Sequence, residues 1–190
     1  MGGPNHPLEF NAKEWGYSTD ADVRQRAYWD VFSGAAGHVY GHHAIWQFWS
    51  PSKERINFPT MPWQAALQRP GATQMQHLRK LVQARPGFTP APDLLDDPLE
   101  GADHLVAARG DGFALLYSPY GRPFSVKVSA LGTPKLRATW WNPRTGQSEQ
   151  QETITLAPSV SLHRFVCPAE GFGADWVLVL DDASKVFAPL

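Results

Sequence analysis

The chain of 190 residues holds a single cysteine, Cys167, so it has no intrachain disulfide. Neither charge is in surplus: 17 Lys and Arg stand against 18 Asp and Glu, a formal net charge of −1. Neutralising phosphates takes an excess of cations, so the balance argues against a general nucleic-acid or anionic-membrane binder. No apolar run reaches the ~18 residues that a membrane span needs. The opening stretch Met1-Gly2-Gly3-Pro4-Asn5-His6-Pro7 has no basic region followed by an apolar one, and does not read as a secretory signal. A phosphate-cradling glycine loop, a Cys–His pair and a serine-centred nucleophile motif are missing too, and no cofactor is expected.

What is present reads as globular: 43% hydrophobic and 18% charged residues, enough for one or two domains. Aromatics reach 12%, with eight Trp. Core packing and stacking on sugar rings are both open uses for them.

The segment 19–46 organises the first half. Val23, Ala27, Val31 and Ala35 recur every four residues with Tyr28 and Phe32 beside them, which predicts a helix over 22–35. Thr19 with Asp22 has the form of a capping box. Gly34 and Gly37 end the pattern, and His38-Val39-Tyr40-Gly41 is predicted as a short strand. Helix, glycine turn, short strand and a loop crowded with His and Trp make the unit of an α/β barrel, whose binding groups collect past the strand ends. Met61–Leu67 reads as a short helix and Pro70 opens a longer one to about residue 85, with an apolar stripe of Met75, Leu78, Leu81 and Val82.

Pro90, Pro92 and Pro98 make residues 87–100 a stiff connector. Beyond it the period changes to two. Strands are predicted at 104–109, 113–118, 124–128, 136–141, 153–156, 161–166 and 176–180, with no helix among them, which is the pattern of an antiparallel β-sandwich over 101–190. Its size suits independent folding. Trp140 and Trp141 must point to opposite faces. The outward one, or Tyr120, is expected to contact the helix over 70–85 or the connector.

Two resemblances join these patterns. Asp22-Val23-Arg24, Ala27-Tyr28-Trp29, Ser33-Gly34-Ala35-Ala36-Gly37-His38, Tyr40-Gly41 and Ile45-Trp46 resemble the late part of the catalytic barrel of apiosidase-like glycoside hydrolases. Phe113–Tyr117, Trp140-Trp141-Asn142-Pro143-Arg144-Thr145-Gly146 and Asp175–Leu180 resemble the collagen-binding-type sandwich that commonly follows that barrel. The resemblance implies an α+β chain: residues 1–86 a C-terminal remnant of a (β/α)8 barrel, then the connector, then the sandwich. The helix over 22–35 would be the seventh of the barrel, His38–Gly41 its eighth strand and the helices after Thr60 its close. It also implies a secreted or periplasmic parent enzyme that acts on polysaccharide.

Glycosidases set two carboxyl groups across the scissile bond. None of the acids here ends a barrel-type strand: Asp20, Asp22 and Asp30 belong to the helix, and Glu9 and Glu14 read as loop acids. No catalytic residue is therefore assigned, and the chain reads as the C-terminal fragment of a longer hydrolase, inactive alone. The alternative is a non-catalytic accessory module that binds carbohydrate or matrix protein through its sandwich. His42, His43 and Trp46 are the candidate substrate-binding residues, imidazoles hydrogen-bonding hydroxyls and the indole stacking on a sugar face; packing is the competing use. The four-residue spacing of His38 and His42 suits zinc only on a helix, and no metal site is expected. Arg24 reads as a surface partner of Asp20, Asp22 or Asp30.

Overall fold

The computed structural model describes residues 16–56 and 58–190. The predicted loop over 5–11, with Glu9 and Glu14, lies outside the described residues. Helix α1 spans Asp20–Phe32, α2 His43–Trp46, α3 Trp63–Ala66 and α4 Pro70–Ala84. Strands β1 Thr89–Pro90, β2 Val106–Gly110, β3 Phe113–Ser118 and β4 Phe124–Val126 follow. Then come β5 Lys135–Asn142, β6 Gln147–Thr155, β7 His163–Phe165 and β8 Trp176–Asp182.

The capping box forms as its spacing demands. Thr19 Oγ1 accepts from the Asp22 N–H at 3.4 Å, and Asp22 Oδ2 accepts from the Thr19 N–H at 2.6 Å. Pro70 opens α4 at a position where its missing N–H costs nothing.

The strands build a six-stranded antiparallel sheet in the order β1-β2-β3-β8-β5-β6 and a two-stranded sheet of β4 and β7. Its central strands show why their sequences do not alternate. All of β3 and all but the last residue of β8 are buried, because both sheet faces are covered. On one face Leu116, Ala138, Trp140, Leu178 and Leu180 meet Phe124, Val126, Phe165 and Leu94. On the other, Leu115, Tyr117, Trp141, Val177 and Val179 meet Ala27, Tyr28 and Phe32 of α1 and Leu78 and Leu81 of α4. Tyr28 stacks on Tyr117 with ring centroids 4.8 Å apart. The molecule is thus α+β in three layers: helices, large sheet, small sheet.

Two buried ion pairs bolt the helical layer to the sheet. Arg24 of α1 donates to Asp175, Nη2 to Oδ1 at 2.8 Å and Nε to Oδ2 at 3.0 Å, and its Nη1 donates to Gln74 of α4 at 2.6 Å. Tyr117 Oη donates to the same carboxylate at 3.2 Å, and Arg144 Nη1 donates to the Asp175 carbonyl. Arg85, which follows α4, donates Nε and Nη2 to the two oxygens of Asp181 at 2.8 and 2.7 Å. Arg24 is therefore a buried clamp and not the surface partner of its neighbouring acids.

Three further differences from the sequence reading have local causes. Residues 38–41 make no strand among the described residues: so short a strand forms only as part of a sheet, and neither sheet takes it in. The proline-rich stretch 87–100 is bound into the fold; Thr89 and Pro90 pair with β2, and Ala91, Leu94 and Leu95 enter the core. The polar β6 extends from Gln147, well before the predicted start at Thr153, because β5 supplies its hydrogen bonds and its outer side is an edge. The Trp140–Trp141 alternation holds. Trp141 is the ring under the helices, with Lys80 Nζ of α4 5.0 Å from its centroid, while Trp140 packs on Phe124 and Trp176 in the opposite core.

Candidate functional site

The loop after α1 carries the His and Trp cluster. His42 caps α2: its Nδ1 accepts from the Ala44 N–H at 3.2 Å. A backbone N–H can only donate, so the neutral His42 ring carries its proton on Nε2. One turn on, Trp46 Nε1–H donates to His43 Nδ1 at 2.9 Å, which fixes the same tautomer in His43. The two rings sit edge to face at 5.9 Å, and the Trp46 indole remains 54% exposed. Gln47 ties the loop shut: its amide donates to the His43 and Ile56 carbonyls and accepts from the Ile56 N–H, all within 3.0 Å. Phe48, at φ +48, packs edge to face on Trp63.

Of the sequence-predicted residues, His43 and Trp46 are thus brought into direct contact, and His42 has a local structural task in the same turn. The arrangement sets an exposed indole face beside two imidazoles, residue types that stack on a sugar's C–H face and hydrogen-bond its hydroxyls. His38 points to other company. Its Nδ1 lies 2.8 Å from Asp30 Oδ2, its side chain is mostly buried, and it lines a groove of about 450 Å³ with Met75, Val82 and Phe88. Cys167 is no nucleophile, since burial pushes its thiol up to about 12. No group of three or more His, Cys, Asp or Glu able to hold a metal occurs among the described residues. A second cleft, between β5, β6 and the segment 183–190, went unseen in the sequence because its lining comes from polar strand residues without a motif.

The His42 cap makes a pH prediction. Burial, then the charges of His43 and Arg69, hold its pKa below the ordinary 6.5. With the folded value lower than the unfolded one, the unfolded chain takes up the proton first. The cap's contribution is therefore complete above the ordinary value and is lost as pH falls through the folded value. Amide exchange at Ala44, corrected for intrinsic rate, is expected to accelerate as pH falls below the ordinary 6.5. Leu178 in the central strand should show no such change. An Ala44 amide indifferent to pH would overturn the prediction.

Residues 4–89 match the family model of the apiosidase-like catalytic domain. Residues 90–181 match a model described as "Putative collagen-binding domain of a collagenase". Among solved structures, a glycoside hydrolase is 32% identical with a TM-score of 0.83 over 90% of this chain and 38% of its own. A glycoside hydrolase family 5 protein from Bacteroides vulgatus ATCC 8482 is 28% identical with a TM-score of 0.84 over 97% of this chain and 39% of its own. The chain therefore spans under two-fifths of the length of these two glycoside hydrolases. No curated protein matches it. The sequence resemblances and the family models agree on both halves; the family models meet between residues 89 and 90, within β1.

Proposed function

We propose that this chain is the C-terminal part of an apiosidase-like glycoside hydrolase, which cleaves glycosidic bonds of polysaccharide. Residues 1–86 are a remnant of its (β/α)8 barrel, 87–100 lead out of it, and 101–190 form the sheet domain behind it. The carrying observation is coverage: two glycoside hydrolase structures match 90% and 97% of this chain, while it spans 38% and 39% of them. The three acids of α1 support the reading, because each is engaged elsewhere. Asp20 lies 3.5 Å from Arg69, Asp22 closes the capping box, and Asp30 pairs with His38. Both carboxyl groups of the reaction then belong to the missing part of the barrel.

In this reading α1 is the seventh barrel helix, residues 38–41 stand in the place of the eighth strand, and α4 closes the ring. The strands on either side would take residues 38–41 into the barrel sheet. They would also cover exposed apolar side chains such as Phe48, Ile56 and Leu67. His42, His43 and Trp46 form the rim of the sugar cleft, just past a strand end, where barrels place their binding groups. Trp46 stacks on the sugar and the imidazoles meet its hydroxyls. The partner is a carbohydrate, with no cofactor and no nucleic acid.

The pure 190-residue protein is expected to turn over neither aryl glycosides nor polysaccharide side chains, because nucleophile or base and general acid are lost together. Turnover that heat treatment abolishes would overturn the proposal. Reading the coding DNA upstream is the second test. An in-frame continuation with six more βα units and a strand ending in Glu supports it, and a stop codon before a ribosome-binding site counts against it.

A further inference from the structure

The more polar cleft lies on the large sheet and shares no residue with the His42–Trp46 loop. Its volume is about 490 Å³, within the ~300–1,000 Å³ of small-molecule sites. Arg137 and Thr139 of β5, Ser148 and Gln151 of β6, and Phe187 line it. In a regular strand Ser148 and Gln151, three apart, would point to opposite faces. A bulge brings them together. The register shifts so that Thr139 faces Gln151 and Trp141 faces Ser148, and the inserted Gln150 takes φ +45. Thr139 and Trp141 share a sheet face, so both β6 side chains join it.

Ion pairing is uneven at the same place. Arg85 holds both oxygens of Asp181, and Arg137 Nη2 stands 3.5 Å from Oδ2, an oxygen that Arg85 already uses. Two guanidiniums share one carboxylate. Arg85 is buried, whereas Arg137 is 30% exposed and keeps part of its guanidinium open in the cleft, whose lining also includes Leu190. Lys185, also in the lining, is paired with Asp111 at 2.6 Å.

We infer that this cleft binds an acidic saccharide, with its carboxylate on Arg137 and its ring hydroxyls on Thr139, Ser148 and Gln151. A guanidinium fork matches a carboxylate in two parallel hydrogen bonds. Hydroxyl and amide side chains each donate and accept, the pairing that vicinal sugar hydroxyls require. A neutral sugar leaves the Arg137 charge unanswered, and a small bare anion leaves the polar row unused. The inference rests on the sheet alone, and it stands or falls independently of the barrel reading.

The test titrates the ¹⁵N-labelled full chain separately with trigalacturonate, maltotriose and acetate at low salt. Trigalacturonate is expected to shift the Thr139, Ser148 and Gln151 amides saturably and to bind at least about tenfold more tightly than either other probe. Arg137→Gln should weaken that binding about tenfold, the scale of one charge-assisted hydrogen bond. Gln151→Ala lies on the exposed edge strand and leaves both ion pairs intact, and it should weaken binding about threefold. Absence of saturable shifts would overturn the inference. So would maltotriose or acetate matching trigalacturonate, shifts confined to the His42–Trp46 loop, or both variants binding like the parent chain.

Discussion

Asp175→Ala is expected to destabilise the chain by about 3–5 kcal/mol, the cost of leaving a buried cation without its counter-charge. The stranded cation is Arg24. Its side chain is almost wholly buried, and Asp175 receives both its Nε and its Nη2. Gln74 and the Gly173 carbonyl accept from it as well, but neither is charged. Tyr117 loses the acceptor of its hydroxyl in the same step. Arg144 is less affected, since it is a quarter exposed and keeps the Trp176 ring 4.6 Å beneath its guanidinium. At ~2–4 °C per kcal/mol for a chain of this size, Tm should fall by roughly 6–20 °C. The paired replacement Arg24→Met with Asp175→Leu is expected to recover much of the loss, because apolar groups can replace a buried pair at little cost. Thermal unfolding of the two single variants and the double variant measures this directly. An Asp175→Ala protein within about 1 kcal/mol of the parent would show the carboxylate to be dispensable.

That clamp also shows what the sequence could and could not say. Helix α1 was legible in its cap, in its stripe and in the glycines that close it, because those signals are local. Arg24 stands four residues before Tyr28, and Tyr28 four before Phe32, so spacing alone puts the arginine on the buried face. Its partner is 151 residues away, and no local rule links them. The strands were legible where turns bound them and apolar residues fill them. β6 was only partly so, because it is polar on both faces and its pairing is decided by β5. The two-stranded sheet of β4 and β7 covers one face of the large sheet, but the helices cover the other, so the seven strand signals did not make a sandwich of two comparable sheets.

Site residues followed the same division. His43 and Trp46 meet because they lie three apart on a helical turn, a contact that spacing gives once the turn is known to be helical. His42 as a helix cap escapes the usual preferences, which favour Ser, Thr, Asp and Asn. The cleft on β5 and β6 depends on one inserted residue, Gln150, whose positive φ no residue type at that position announces.

Residues 87–190 expressed alone are expected to aggregate or to behave as a loosely packed globule, although the strand pattern by itself suggested an independent domain. Without α1 and α4, the face bearing Val106, Leu115, Tyr117, Trp141, Val177 and Val179 meets water. Each large side chain exposed there forfeits about 1.5–3 kcal/mol of burial. Removing Arg24 and Arg85 also leaves Asp175 and Asp181 without their bidentate partners. Exposing that face rehydrates both carboxylates, so the apolar loss is the larger effect, and a contiguous patch of this kind drives association. The helical part fares no better alone, since Tyr28, Phe32, Leu78 and Leu81 share one buried cluster with the sheet residues. Coexpressing 1–86 with 87–190 as separate chains should therefore restore a soluble 1:1 complex that neither gives alone. Size-exclusion chromatography and dye binding to exposed apolar surface read the outcome. A monomeric 87–190 with a sharp unfolding transition would mean that the sheet buries its helix-side face by some rearrangement, and that the two Arg–Asp pairs do not hold the layers in place.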